Sequence, residues 1–236
     1  MGEQRRAESA PAILTVNQHA IDPTKFEGRI WQIARVLQRN HYLCYVVGGA
    51  VRDLLLNKTP KDCDLVSDAT PNQIKRLFRN AFLVGKRFRL AHIRYGKDYI
   101  EVATFRKEAD TVLPIEEGED FARHKRVYGS PRDDAFRRDF TVNGMFYDLA
   151  TRRVIDYVGG LPDLEDRLVR TIVDPDLSLT EDCVRMLRAV RLSGRHQFTI
   201  EAGLRGAIIR HADTLAAVSK SRLYEELGNL LYYGAA

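Results

Sequence analysis

The sequence predicts an α+β protein: a mixed sheet with flanking helices, followed by the start of an all-helical domain. Two observations carry this expectation. Up to residue 172, short apolar β-like runs alternate with segments of helical periodicity, whereas beyond Asp174-Pro175 only helical patterning remains, over about 178–194, 201–211 and 220–232. Within the mixed part, Tyr45–Ser67 (YVVGGAVRDLLLNKTPKDCDLVS) joins an apolar strand to a helix through Gly48-Gly49, then reaches a second strand bearing Asp62 and Asp64. The expected organisation is a disordered or extended segment over 1–22, a mixed domain over 23–172 and a helical domain over 173–236.

In chain order, Phe26, Ile30, Ile33, Ala34 and Leu37 recur at three and four and predict a helix over 24–40. The run Tyr42–Val47 reads as a buried strand, ended by the two glycines. Ala50, Val51, Leu54 and Leu55 then continue with helical spacing. Thr70 as N-cap and Pro71 at the first helical position open a further helix. Phe82–Gly85, Phe88–Tyr95 and Tyr99–Phe105 read as strands, the last two forming a hairpin around Gly96-Lys97-Asp98. Residues 107–129 are charged and without period, which predicts a mobile loop. Pro131–Phe146 reads as two short helices, and Met145–Leu149, Val154–Tyr157 and Leu168–Ile172 as short strands, with a short helix at Pro162–Asp166.

With 236 residues, 44% of them hydrophobic, the chain can bury a sizeable core. A net charge of +5, from 37 Lys+Arg against 32 Asp+Glu, permits a nucleic-acid partner without requiring one. Three widely spaced cysteines, Cys44, Cys63 and Cys183, without a CxxC pair, argue against a disulfide scaffold or zinc site and fit a reducing cytosol. No apolar run approaches about 18 residues and no leader-like apolar segment opens the chain, so the expected location is the cytoplasm.

The chemistry concentrates at the glycine turn. Glycines between a strand and a helix let backbone approach a ligand closely, and the unpaired N–H groups of a helix start suit a phosphate, next to the charge of Arg52. In a strand, residues i and i+2 share a face, so Asp62 and Asp64 project side by side. Two such carboxylates repel unless a cation neutralises them, and Mg²⁺ bridged to substrate phosphates does so. A third carboxylate completes the usual two-metal arrangement. Glu101, on the hairpin, is one candidate, although its position alone favours an exposed strand face. Asp139, by its position alone, suits the N-cap of the helix that follows. Arg138 has the guanidinium geometry for a triphosphate oxygen. Along Glu181–Arg191, a helical wheel sets Met186, Leu187 and Val190 on one side and Asp182, Arg185 and Arg188 on the other. Spacing alone reads the latter as a solvated face with Asp–Arg pairs.

Four blocks, GGAVRDLLLNKTPKDCDLV (48–66), IEVATFR (100–106), RRDFTVN (137–143) and EDCVRMLRAVR (181–191), together resemble the bacterial poly(A) polymerases and the class II CCA-adding tRNA nucleotidyltransferases. The resemblance implies a polymerase β-like nucleotidyltransferase head followed by a helical neck, two Mg²⁺ ions, ATP as substrate and an RNA 3′ end as partner. It implies that Asp62 and Asp64 hold the metals, with Glu101 or Asp139 completing the acidic cluster. Gly48, Gly49 and Arg52 would cradle phosphates, Arg138 would meet the triphosphate and Asn143 the ribose. Asp182 and Arg185 would read the base edge while Arg188 and Arg191 face phosphate. The RNA 3′-hydroxyl would attack the α-phosphate and release pyrophosphate.

Leu83–Ile93 (LVGKRFRLAHI), Asn17–Ile21 and Leu77–Asn80 resemble the poly(A) branch, whose RNA is mRNA or another transcript, more than the CCA-adding branch, whose RNA is tRNA. A non-catalytic RNA-binding fragment is the reading from a different class. Two departures stand out. Asn57 replaces a usual glycine, tolerable because Asn accepts the left-handed region. The family's chains also continue into a longer helical body, whereas this one stops at Tyr232-Tyr233-Gly234-Ala235-Ala236, which reads as a truncation or fragment.

Overall fold

The computed structural model describes residues 10–85, 89–107 and 128–233. The expected N-terminal disorder over 1–9, the centre of the expected mobile loop at 108–127, and Lys86, Arg87 and Phe88 of the branch-discriminating stretch lie outside the described residues. The chain divides into two compact units: Met1–Arg137 with Asn143–Val158, and Arg138–Val142 with Gly159–Ala236.

The first unit is built on an eight-stranded mixed sheet. Its strands are β1 (Ala12–Leu14), β2 (Tyr45–Val47), β3 (Asp64–Ser67), β4 (Ala81–Val84), β5 (Leu90–Tyr95), β6 (Asp98–Thr104), β7 (Met145–Asp148) and β8 (Arg153–Asp156), in the order β1-β8-β7-β2-β3-β6-β5-β4. Every pairing is antiparallel except β3 with β6. Among the described residues, the α-helices of this unit are α1 (Gly28–Arg39), α2 (Gly49–Leu55), α3 (Pro71–Leu77) and α4 (Pro131–Phe136).

Each forms where its caps and periodicity allow. In α1, Ile30, Ile33, Ala34 and Leu37 are buried at the spacing read from the sequence. The Thr70 hydroxyl accepts the Gln73 N–H while the Gln73 side chain returns to the Thr70 N–H, a capping box, and Pro71 starts α3. Ser130 and Asp133 repeat that device at α4. One apolar cluster, Tyr45, Val47, Val66, Phe105, Ala135 and Phe146, covers one face of the sheet centre. Leu65, Val102 and Ile93 are buried on the alternate face, as a strand period of two requires. Asn57 takes φ 59°, the left-handed conformation expected of it.

In the second unit, α5 (Gly160–Glu165), α6 (Pro175–Glu181), α7 (Arg185–His196), α8 (Ala202–His211) and α9 (Lys220–Tyr233) accompany two short parallel strands, β9 (Leu168–Val169) and β10 (Thr199–Ile200). The stretch beyond residue 174 therefore carries one strand that helical patterning hid. The helix expected over 178–194 is two helices. Asp182 leaves the helical region at φ −150°, ψ 96°, and its side chain instead accepts the Val184 N–H at 3.2 Å, so α7 starts afresh at Arg185. The break takes Asp182 off the wheel, and within α7 the buried face is not the one read from the sequence. Met186, Ala189 and Leu192 are buried, whereas Val190 is 45% exposed. Among the described residues, no helix is long and apolar enough to cross a membrane.

Candidate active site

The glycine turn forms as its residues dictate. Gly48 sits at φ 74°, ψ −140°, a conformation that a side chain would strain, and so the chain can leave β2 and enter α2 within one residue. A Cβ on Gly49 would stand 3.1 Å from Nη2 of Arg52, so the close seat of that guanidinium depends on the second glycine. Arg52 is buried. Its Nε and Nη2 donate to Oδ1 of Asp53 at 2.9 and 2.7 Å, and its Nη1 donates to Oδ1 of Asn143 at 2.6 Å.

The two aspartates stand where β2 and β3 separate. Val47 pairs with Asp64, and Gly48 then turns away, leaving no partner strand for Asp62. Asp62 accordingly lies just before the strand rather than in it, its side chain 73% exposed with Lys61 Nζ at 3.9 Å. The parallel register Leu65↔Val102 and Val66↔Ala103, carried back one residue, sets Glu101 beside Asp64 on the sheet face that Val47 and Val66 share. His92, directly across from Glu101 on β5, brings Nε2 to 3.3 Å from its carboxylate and stacks on Tyr99 at 4.3 Å and 6°. Burial raises the Cys63 thiol to about 12, with Asp64, Glu27, Asp62 and Asp53 adding to the shift, which registers how much negative potential gathers here. Among the described residues, no three His, Cys, Asp or Glu side chains form a ready-made metal cage. Asp62 and Asp64 fit a hard divalent ion that takes its other ligands from water and a triphosphate.

In the second unit, Asp139 accepts the Phe140 N–H at 2.8 Å through Oδ1 and meets Nη1 of Arg188 at 3.2 Å through Oδ2. It is thus both a local cap and an ion-pair partner. Thr141 hands its hydroxyl to the buried Asp163 at 2.6 Å, and the 140–142 segment is held by the bridge Phe140↔Thr171. Arg188 also meets Glu226 at 3.3 Å, as does Arg191. Asp182 accepts from Arg222 Nη2 at 2.6 Å. Arg185 is buried, donating to the Ser178 carbonyl and hydroxyl at 3.2 and 2.9 Å and pairing with Glu181 at 2.7 Å.

The first unit therefore brings together Gly48, Gly49, Arg52 and Asn143, and separately Asp62, Asp64 and Glu101. The second gathers Asp139 with Arg188, and Asp182 near the start of α7. Partners not anticipated include Asp53, which holds Arg52; His92, beside Glu101; Ser178, which accepts from Arg185; Glu226, which gathers Arg188 and Arg191; and Arg222, which holds Asp182. Adjacency of Asp53 to Arg52 was one available signal. Nothing in the local pattern of Arg222 or Glu226 marks them.

The poly A polymerase head domain family matches residues 44–170, and a probable RNA and SrmB-binding site of polymerase A matches residues 197–236. Poly(A) polymerase I of Salmonella typhi is 41% identical over 98% of this chain and 52% of its own length. The CCA-adding enzyme of Bacillus subtilis is 36% identical over 84% of this chain and 49% of its own. The crystal structure of the Bacillus stearothermophilus CCA-adding enzyme in complex with CTP superposes with a TM-score of 0.75 at 30% identity, covering 89% of this chain and 49% of that one. The chain spans about half the length of the curated relatives it matches. With more than half of its residues matched by one family, and with the mixed sheet shared with a CCA-adding enzyme, the chain belongs to the poly A polymerase head domain family.

Proposed function

We propose that this chain carries the catalytic head of a cytoplasmic, template-independent RNA nucleotidyltransferase that adds AMP from ATP to the 3′ ends of mRNA or other transcripts. The observation that carries the reading is the register that sets Glu101 beside Asp64, with Asp62 two residues before it, next to the Gly48-Gly49 turn. The 3′-hydroxyl oxygen forms a bond to the α-phosphorus as the bond to the β-phosphate breaks. Pyrophosphate leaves and the hydroxyl proton passes to water.

Asp62 and Asp64 hold Mg²⁺, which when bound neutralises the triphosphate and favours the attacking alkoxide. Glu101 adds a third carboxylate to that face. Asp139 is the other candidate for that part, although its pairing with Arg188 also suits a structural role. Gly48 and Gly49 let the backbone approach the phosphates. Arg52 supports them from behind while orienting Asn143 toward the ribose. Arg138 meets the triphosphate, Arg188 and Arg191 add positive charge, and Asp182 with Arg185 reads the base edge.

The greater identity and coverage of the poly(A) polymerase I relatives favours AMP addition. CCA addition to tRNA is the second reading, and the superposition on a CCA-adding enzyme favours it. Incubating the purified chain with Mg²⁺, an RNA primer and each nucleoside triphosphate separately tests both. Extension by ATP alone is expected. CTP incorporation would mark the second reading. Asp62→Ala and Asp64→Ala should each abolish transfer, and activity within tenfold of the unsubstituted chain in either would sink the carboxylate assignment.

A further inference from the structure

The first unit holds a second concave site, away from the glycine turn. It is a cavity of about 450 Å³ lined by Phe26, Trp31, Arg35, Gln38, Leu149 and Arg152, among others, within the roughly 300–1,000 Å³ of small-molecule sites. Strand register separates it from the catalytic end. Val47 pairs with Asp64 at that end, whereas Tyr45 pairs with Asp148 at the other, and the turn from Leu149 to Arg152 follows Asp148.

The lining has a definite chemistry. Trp31, Arg35 and Gln38, at i, i+4 and i+7, share one face of α1. Phe26 stands edge-on to Trp31, with centroids 6.0 Å apart, and is backed by Tyr147, stacked at 5.3 Å and 26°. These rings make an apolar wall. Among the described residues, neither Arg35 nor Arg152 is in an ion pair or a side-chain hydrogen bond, so two guanidinium charges line the cavity uncompensated. Gln38 completes the polar side of the lining.

Arg152 also occupies an unusual seat. It sits at φ 55°, a conformation glycine takes without strain, in a turn where Asp148 accepts the Ala150 N–H at 2.8 Å and the Thr151 hydroxyl at 2.6 Å. His19 Nε2 lies 2.9 Å from the Arg152 carbonyl oxygen. A long cation is thus kept where the backbone favours the smallest residue.

We propose that this cavity binds a nucleoside phosphate, free or as one residue of an RNA strand, with the base against Trp31 and Phe26 and the phosphate at Arg35 and Arg152. Aromatic faces accept any base by stacking, and guanidinium forks match phosphate oxygens.

Trp31 is the only tryptophan in the chain, so its fluorescence reports on this wall alone. Titration with AMP, with a short oligoadenylate and with ribose 5-phosphate tests the site. Saturable quenching by AMP or the oligonucleotide is expected, with ribose 5-phosphate weaker for want of a base. Quenching by AMP alone would assign the site to a free nucleotide, and by the oligonucleotide alone to a strand. Arg152→Gly, which relieves the turn and should not impair folding, and Arg35→Ala should each weaken the affinity at least fivefold. Asp64→Ala should leave it unchanged. Absence of quenching by both ligands, unchanged affinity in both arginine variants, or loss of the signal in Asp64→Ala would overturn the proposal.

Discussion

The guanidinium of Arg52 holds the side-chain oxygen of Asn143 at 2.6 Å while its other nitrogens grip Asp53. One buried cation thereby fixes a residue of the glycine-turn helix to one from a distant block. Arg52→Ala should leave the Asp53 carboxylate buried without its guanidinium, at a cost of about 3–5 kcal/mol, visible in urea unfolding. Asn143→Asp offers Arg52 a carboxylate instead, so it should fold normally yet raise the nucleotide KM through loss of the amide. A normal KM in that variant would separate Asn143 from ribose contact.

Asp182 and Arg185, treated alike when the block is read as one helix, should behave differently. Arg185 is buried, so Arg185→Ala should cost about 1–3 kcal/mol by removing the donor to the buried Ser178 hydroxyl and the partner of Glu181, while the Ser178 carbonyl keeps the Asp182 N–H. Asp182→Ala should cost about 1 kcal/mol, the value of a lost cap. Both should blur ATP preference and raise the nucleotide KM if they read the base edge. Unchanged selectivity among the four triphosphates would leave this joint a scaffold.

Glu226 gathers Arg188 and Arg191 at 3.3 Å each. Glu226→Gln should therefore loosen α9 from α7 by about 1 kcal/mol, discounted because Arg188 is partly exposed to solvent. Faster amide exchange across Lys220–Tyr233, with little change in the first unit, is the expected readout.

Asp176, held by hydrogen bonds from Arg210 and then His211, has its carboxyl lowered below the ordinary 3.8. A lowered folded value means that its contribution is present above the unfolded value and lost as pH falls through the folded one. Asp176→Asn should lower Tm slightly at pH 7, and the difference should close below about pH 3.8. A gap that persists at pH 2 would assign the effect to something other than this charge.

Local features were the legible ones. The β5–β6 hairpin around Gly96, the Thr70 capping box and the apolar stripe of α1 all arise from neighbours in sequence, where spacing is sufficient evidence. Non-local pairing was not. That Glu101 neighbours Asp64 depends on a parallel register reached through α3, β4 and β5; the sequence made it a candidate on the hairpin, and the resemblance to a family favoured it over an exposed strand face. The wheel over Glu181–Arg191 failed for a different reason. It assumed an unbroken helix, and the Asp182 side chain, by accepting the Val184 N–H, took Asp182 off the wheel, while Arg185 lies on the buried face because it bonds Ser178. Ion-pair partners such as Glu226 carry no local signature, since a charged residue reads as solvated until something packs over it.

The pairing of β1 with β8 has a bearing on how the chain is made. Ala12, Ile13 and Leu14 have no strand to join until Asp156, Ile155 and Val154 exist. At about 5–20 residues per second, roughly seven to thirty seconds of synthesis separate the two. Through that interval β1 has no partner of its own, and an unpaired strand recruits strands from other chains. Among the described strands of this sheet, the first in sequence thus waits for the last, and once seated it forms one of the two edges.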